Sequence, residues 1–296
     1  MTTEPATGDI VERDGVIAGP WRSPRNASPG ETGSIHDDVI ARDLGFRGGT
    51  VAGSIHMEQF PPLLVRAFGQ QWFETGSIST YFRNATTDRE AVRAFVRTPE
   101  PDVLAPQVDI WMEDEHGAQV LEGTASIGAP VAPSRLRTKI AEPRTSGELR
   151  MLAHLSVGAH AGPIQVVYGD HFEAERTRVL TEPLLWYDGP SPWGGAIMHP
   201  GLVMNIMRPI EAALDLVRGP SVGLFGAIEI RHINGPVFVG RDYEVSATIL
   251  AVGNTPKSEY VWYESTLREP GDPRDIASMI MMLRLVKASS PLWQTA

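Results

Sequence analysis

The sequence predicts an α+β fold built twice: two repeats, each a central helix wrapped by an antiparallel sheet. Three observations point to it. First, a diglycine opens an apolar helical stretch at two places about half a chain apart, GGTVAGSIHMEQFPPLLVRAF from Gly48 and GGAIMHPGLVMNIMRPIEAAL from Gly194. Second, the same succession follows each helix: an alternating segment, a polar turn with Asn, Arg and an acidic residue, then another alternating segment. SISTYFRNATTDREAVRAFV and AIEIRHINGPVFVGRDYEVSATI are the two copies. Alternation at period two marks half-buried strands. Third, each half closes on two more strand-like segments, so both read as one helix followed by about four strands.

Taken in order, residues 1–20 are acidic and polar at their start and read as a mobile N-terminal segment. Residues 21–130 form repeat 1, with a central helix over Gly53 to Ala67 and a hairpin over Gln107 to Gly128 turning at EHG. Residues 131–150 are rich in Pro, Ser and charge and read as a linker. Residues 151–296 form repeat 2, with a central helix over Gly201 to Leu216. Its last strands are SEYVWYESTLRE and RDIASMIMMLRLV, joined through PGDP.

Composition bounds the function. Apolar residues make up 42% and charged residues 21%, an ordinary globular balance with ample material for a core. The net charge of −10 leaves no basic footprint, which argues against a nucleic-acid partner. Cysteine is absent, which removes disulfides, thiolate metal sites and Cys nucleophiles. The first residues carry no apolar signal core, and no apolar run reaches membrane-spanning length, so the expectation is a cytoplasmic protein with no membrane partner. A fused pair of repeats with closed symmetry predicts a monomer or, preferably, a homodimer.

The stretch GFRGGTVAGSIH raises the functional question, because so permissive a backbone runs straight into an apolar helix. Two readings stand. The glycines let helix and sheet pack, or they let a reacting oxygen meet the N–H groups and partial positive charge at the helix start. Just upstream runs PGETGSIHDDVIARDLGF. Together these segments resemble the MaoC-like hydratase and dehydratase family of hotdog-fold proteins. That family carries an acidic residue, four residues and a His followed by Asp, then a short helix, then Gly-Phe-x-Gly-Pro-Ile-Ala-His-Gly opening the central helix. Glu31 and His36 have that spacing, Asp37 and Asp38 follow, and VIARDLGF supplies the short helix. The match covers residues 31 to 65 and is looser over the strands. Three departures stand out: Glu replaces the usual Asp, Gly33, Ser34 and Ile35 replace the Asn-Pro element, and Gly53 stands where the glycine turn has His. The second half keeps that His, as His199, but lacks the acidic-x4-His element.

The resemblance implies a double hotdog with its catalytic pair in the first half. It implies a hydro-lyase that adds or removes water on an enoyl or 3-hydroxyacyl thioester, of coenzyme A or of a carrier protein. His36 is then the acid–base residue, and Glu31 moves the second proton or orients water. Gly49, Gly53 and Ser54 border the oxyanion site, Ser54 aligning with the family glycine whose N–H serves it. His36 is otherwise a helix-entry histidine and Glu31 a loop carboxylate. His56, in the first turn of the central helix, is a second acid–base candidate or a histidine hydrogen-bonded at a helix contact. Arg83, and His199 in the second half, are candidates for binding the substrate; a plain surface arginine is the other reading of Arg83. His154, His160 and the Asp170-His171 pair lack metal-ligand spacing, so neither a metal nor a cofactor is expected. There is no GxSxG and no P-loop. Three alternatives stay open: a hotdog thioesterase, a related lyase or cyclase acting on a free small molecule, and a non-catalytic acyl-binding partner.

Overall fold

The structure is a computed structural model and describes residues 9–142, 147–177 and 180–294. The first half opens with a hairpin of β1 (Val11–Arg13) and β2 (Val16–Ala18), then the short helix α1 (Asp38–Asp43). The central helical segment is α2 (Gly53–Met57), α3 (Pro61–Phe68) and α4 (Trp72–Thr75). The strands β3 (Gly76–Phe82), β4 (Val92–Arg97), β5 (Gln107–Asp114) and β6 (Gln119–Ile127) follow. After α5 (Arg135–Ala141), the second half begins with β7 (His160–Val166) and α6 (Asp170–Thr177). Its central segment is α7 (Pro200–Met207) and α8 (Ile210–Ala213), followed by β8 (Gly223–His232), β9 (Tyr243–Asn254), β10 (Ser258–Arg268) and β11 (Ala277–Val286).

These strands join one sheet in the order β1-β2-β4-β5-β6-β3-β8-β11-β10-β9-β7, with every neighbouring pair antiparallel. Read outward from the β3–β8 seam, the two halves run in matching order. The seam pairs Ser77 with Arg231 through to Tyr81 with Ala227, and the buried Thr80 hydroxyl donates to the Ile228 carbonyl at 2.9 Å. Alternation sorts the side chains. Met279, Met281, Leu283 and Leu285 of β11 face the main core with Met57, Phe60, Leu64, Leu202 and Ile206 of the central helices, while Ile280 and Met282 face the other side.

Three expectations need correction. The stretch expected to be mobile contains the β1–β2 hairpin. Asp14 and Gly15 take positive φ, 52° and 72°, as a two-residue hairpin turn requires, and Ile17 is buried where β2 pairs with β4. Residues 1–8 of that stretch lie outside the described residues. The expected linker carries α5, whose Leu136 is buried against Ala227, Trp262 and Met282 on the outer face of the sheet. Ser134 caps α5 and also donates to the Glu229 carboxylate. The central helices are also not continuous. α3 begins at Pro61 and α8 directly after Pro209, because proline lacks the N–H needed to carry the ladder through.

The bridges at the two helix entrances also refine the repeat. Thr50 pairs with Thr87 and Ile197 with Phe238. Val51 and Met198 then donate to the Thr86 and Val237 carbonyls, at 2.9 and 2.8 Å. His199 therefore corresponds to Ala52, the N-cap residue just ahead of α2, and not to Gly53 as the diglycine alignment has it.

Candidate functional site

α2 and α7 pack together across the two halves, Glu58 at the end of α2 meeting the start of α7, and a cleft of about 530 Å³ opens beside them. Glu31, His36, Ser54, Glu58, His199 and Arg208 are among its lining residues. A second cleft of about 360 Å³ adjoins it, and His36, Ala52 and Phe225 line both.

His36 sits just ahead of α1, and local bonds place it there. The Asp37 carboxylate caps α1 through the N–H groups of Val39 and Ile40. The His36 carbonyl accepts from the Asn26 amide at 2.7 Å. Its ring Nδ1 lies 2.7 Å from the Thr50 carbonyl oxygen. A carbonyl can only accept, so Nδ1 carries a hydrogen and Nε2 is left for other work. Glu31 reaches the same cleft from its exposed rim, where its charge acts on Arg208. No hydrogen bond joins Glu31 to His36 among the described residues. The structure thus brings the two expected residues to one cleft without pairing them.

The glycines have packing duties. A side chain on Gly49 would collide with the His36 carbonyl, and its N–H donates to Asp38 Oδ1 at 2.7 Å. A side chain on Gly53 would collide with the Phe82 ring. Ser54 is half-buried in the first turn of α2 and lines the main cleft. His56 lines the second cleft instead, with Nε2 2.7 Å from the Thr86 hydroxyl and Nδ1 buried without a partner. Burial lowers its pKa to about 4, so the ring is neutral at pH 7, with Glu90 working weakly the other way. Arg83 also lines the second cleft, and its guanidinium is engaged by Glu122 and lies over the Tyr81 ring at 5.0 Å.

His199 is the N-cap of α7, and the residue that sequence reasoning passed over is its partner, Glu58. Nδ1 of His199 lies 2.8 Å from Glu58 Oε1, and both side chains are almost fully buried. The Gly201 N–H donates to the same oxygen, while Nε2 faces the Arg176 carbonyl at 3.2 Å. Nδ1 also lies 3.2 Å from the Leu202 nitrogen, but a ring nitrogen that donates to Glu58 cannot also accept from that N–H, so the bond to Glu58 displaces the side-chain cap. Glu58 Oε2 has no hydrogen-bond partner. Neither has the Tyr187 hydroxyl, whose pKa burial pushes well up, with the Glu58 charge adding to it. The sequence signal was the one carboxylate in the expected central helix over Gly53 to Ala67. It could be seen, but its partner lies 141 residues away.

Among the described residues no group of three or more His, Asp or Glu could hold a metal ion, and no helix is long and apolar enough to cross a membrane.

No family model matches the chain, and no curated protein matches its sequence. Solved structures do match its fold. A protein assigned as a MaoC domain dehydratase from Chloroflexus aurantiacus aligns over 97% of this chain and 99% of its own, with a TM-score of 0.59 at 15% identity. A conserved protein from Mycobacterium tuberculosis, described as having a double hotdog fold, aligns over 84% of this chain and 86% of its own, with a TM-score of 0.53 at 12% identity. A MaoC-like dehydratase aligns over 84% of this chain and 87% of its own, with a TM-score of 0.50 at 14% identity. The chain has a double hotdog fold.

Proposed function

We propose that the protein is a MaoC-like hydro-lyase that adds or removes water on an enoyl or 3-hydroxyacyl thioester, carried by coenzyme A or a carrier protein. The observation that carries this reading is His36. It stands at the family's spacing, lines a cleft that both halves build, and has Nδ1 held by the Thr50 carbonyl so that Nε2 is available. The likeness of fold to MaoC dehydratases along nearly the whole chain supports it.

Hydration needs two proton transfers, one off water and one onto the α-carbon, and His36 suits one of them near neutral pH. The negative charge that develops on the thioester oxygen calls for N–H donors, and the start of α2 at Gly53 and Ser54 borders the cleft. The second cleft, with Arg83, offers room for the arm that bears the acyl group.

The test is hydration of a crotonyl thioester, followed by loss of the conjugated absorbance with free thiol monitored in parallel. The parent hydrates without releasing thiol. His36→Ala lowers the rate about a hundred- to ten-thousand-fold and leaves the melting temperature within a few degrees. Thiol release in place of hydration would move the reading to a thioesterase. A wild-type rate for His36→Ala would remove the residue from the chemistry.

A further inference from the structure

We propose that the working carboxylate of the main cleft is Glu58, held across the junction of the halves by His199 and the Gly201 N–H, and that its second oxygen holds and deprotonates the attacking water. The inference rests on the hydro-lyase reading for its substrate.

Four observations carry it. Glu58 lines the same cleft as His36. Its Oε1 is fully engaged, by the Gly201 N–H and by His199 Nδ1 at 2.8 Å, which fixes the carboxylate and supports its negative charge. Its Oε2 is buried without a hydrogen-bond partner, the state of a group that awaits one. Glu31, the alternative, lies on the exposed rim beside Arg208 and makes no hydrogen bond to His36. A carboxylate that must remove a proton from water in a dry cleft needs its position set by other groups, and of Glu58 and Glu31 it is Glu58 that has that support.

The step balances with His36 as the second group. A water proton passes to Glu58 Oε2 as the water oxygen bonds the β-carbon. The π electron pair moves toward the thioester oxygen, and the α-carbon then takes a proton from His36 Nε2. Proton exchange with solvent returns the proton from Glu58 to His36, so the net change is the addition of one water. Dehydration is the reverse. His199 touches no reacting atom in this scheme and is a positioning residue.

The experiment compares Glu58→Gln, Glu31→Gln and His199→Asn in the full-length protein with crotonyl thioester. Glu58→Gln keeps the shape, and Asn is a good helix cap, so melting temperatures check folding directly. Glu58→Gln should lower kcat/KM about a hundred- to ten-thousand-fold and remove the acid limb of the pH–rate profile, a signature that a purely structural contact does not move. Glu31→Gln should stay within about threefold of the parent. His199→Asn should lower kcat more than it raises KM and shift the acid limb while keeping it. A near-parental rate for folded Glu58→Gln, or a collapse confined to Glu31→Gln, overturns the proposal. If the parent releases thiol and does not hydrate, the hydro-lyase reading falls, while loss of that release in Glu58→Gln still supports Glu58 as the base for water. If the parent binds neither crotonyl nor 3-hydroxybutyryl thioester by calorimetry, both fall.

Discussion

The two helix entrances are built alike and left in different states. In the second half, the start of α7 is closed: His199 holds the N-cap position with its ring against Glu58 of the first half, and Glu58 takes the Gly201 N–H. By the register of the entrance bridges, the first-half counterpart of Gly201 is Ser54, and the second-half counterpart of Glu58 is Asn205. That counterpart pair makes no hydrogen bond among the described residues, although both residues line the main cleft. No side chain caps α2. A pseudo-symmetric pair of repeats has thus been made unequal by a carboxylate against a carboxamide and a histidine against an alanine. One entrance supplies a fixed, charged group, and the other stays open beside His36.

The largest test of that inequality is energetic. Glu58→Ala leaves the His199 ring and the Gly201 N–H buried without their partner, and removing one member of a buried pair typically costs about 3–5 kcal/mol. Asn205→Ala at the matching position should cost under about 1 kcal/mol. Urea denaturation of the two variants measures both, and equal losses would show that the entrances are not different in kind.

Much of the fold was legible in the sequence because it rests on local patterns. Period-two alternation marked the strands, and the diglycine repeat marked both helix entrances. What escaped was set by distant contacts. β7 and the β1–β2 hairpin are edge strands whose pairing depends on β9 and β4. α5 sits in a stretch whose composition reads as a linker, and it is helical because Leu136 finds an apolar patch on the outer face. At the site, His36 was legible from its spacing. Glu58 was not, because its meaning comes from the start of α7 in the second half arriving beside it. For Gly49 and Gly53 the sequence left packing and an opening for an oxygen side by side, and their missing side chains make room for the His36 carbonyl and the Phe82 ring.

A second comparison sets His56 of the first half against His232 of the second. Burial lowers both pKa values to about 4, but His56 has the Thr86 hydroxyl whereas neither nitrogen of His232 has a partner. An unfolded histidine takes up its proton near pH 6.5 and these two only near pH 4, so the unfolded state binds more protons in between. Stability is therefore fully present above about pH 6.5 and falls as pH drops toward 4, by on the order of 3 kcal/mol for each ring. His232→Phe removes an unpartnered ring from beside Trp72 and Phe73, so it should flatten part of that slope and cost little at pH 7. His56→Phe should flatten the slope equally but lose stability at pH 7, because the Thr86 hydroxyl loses its partner. Melting temperatures from pH 4 to 7 separate the two. An unchanged slope in both variants would mean that neither histidine is held neutral.

The smallest expected effect bears most directly on how the open entrance is held. Gly49 packs against the His36 carbonyl so closely that a methyl group there must displace backbone. Gly195, one residue ahead of Ala196, the counterpart of Gly49 by the bridge register, has only the Phe238 ring within ordinary contact, at 3.4 Å. Overpacking against a backbone that cannot yield typically costs about 1–3 kcal/mol, whereas a methyl group in ordinary contact changes stability by about 0.5 kcal/mol or less. Gly49→Ala should therefore destabilise the protein measurably and Gly195→Ala should not. Because the displaced atoms belong to His36, the same variant should also lower turnover by more than its lost stability explains, with KM little changed. A Gly49→Ala protein that melts lower yet turns over at the parental rate would show that the placing of His36 tolerates such a shift, and that the two entrances differ in packing but not in their demand for precision.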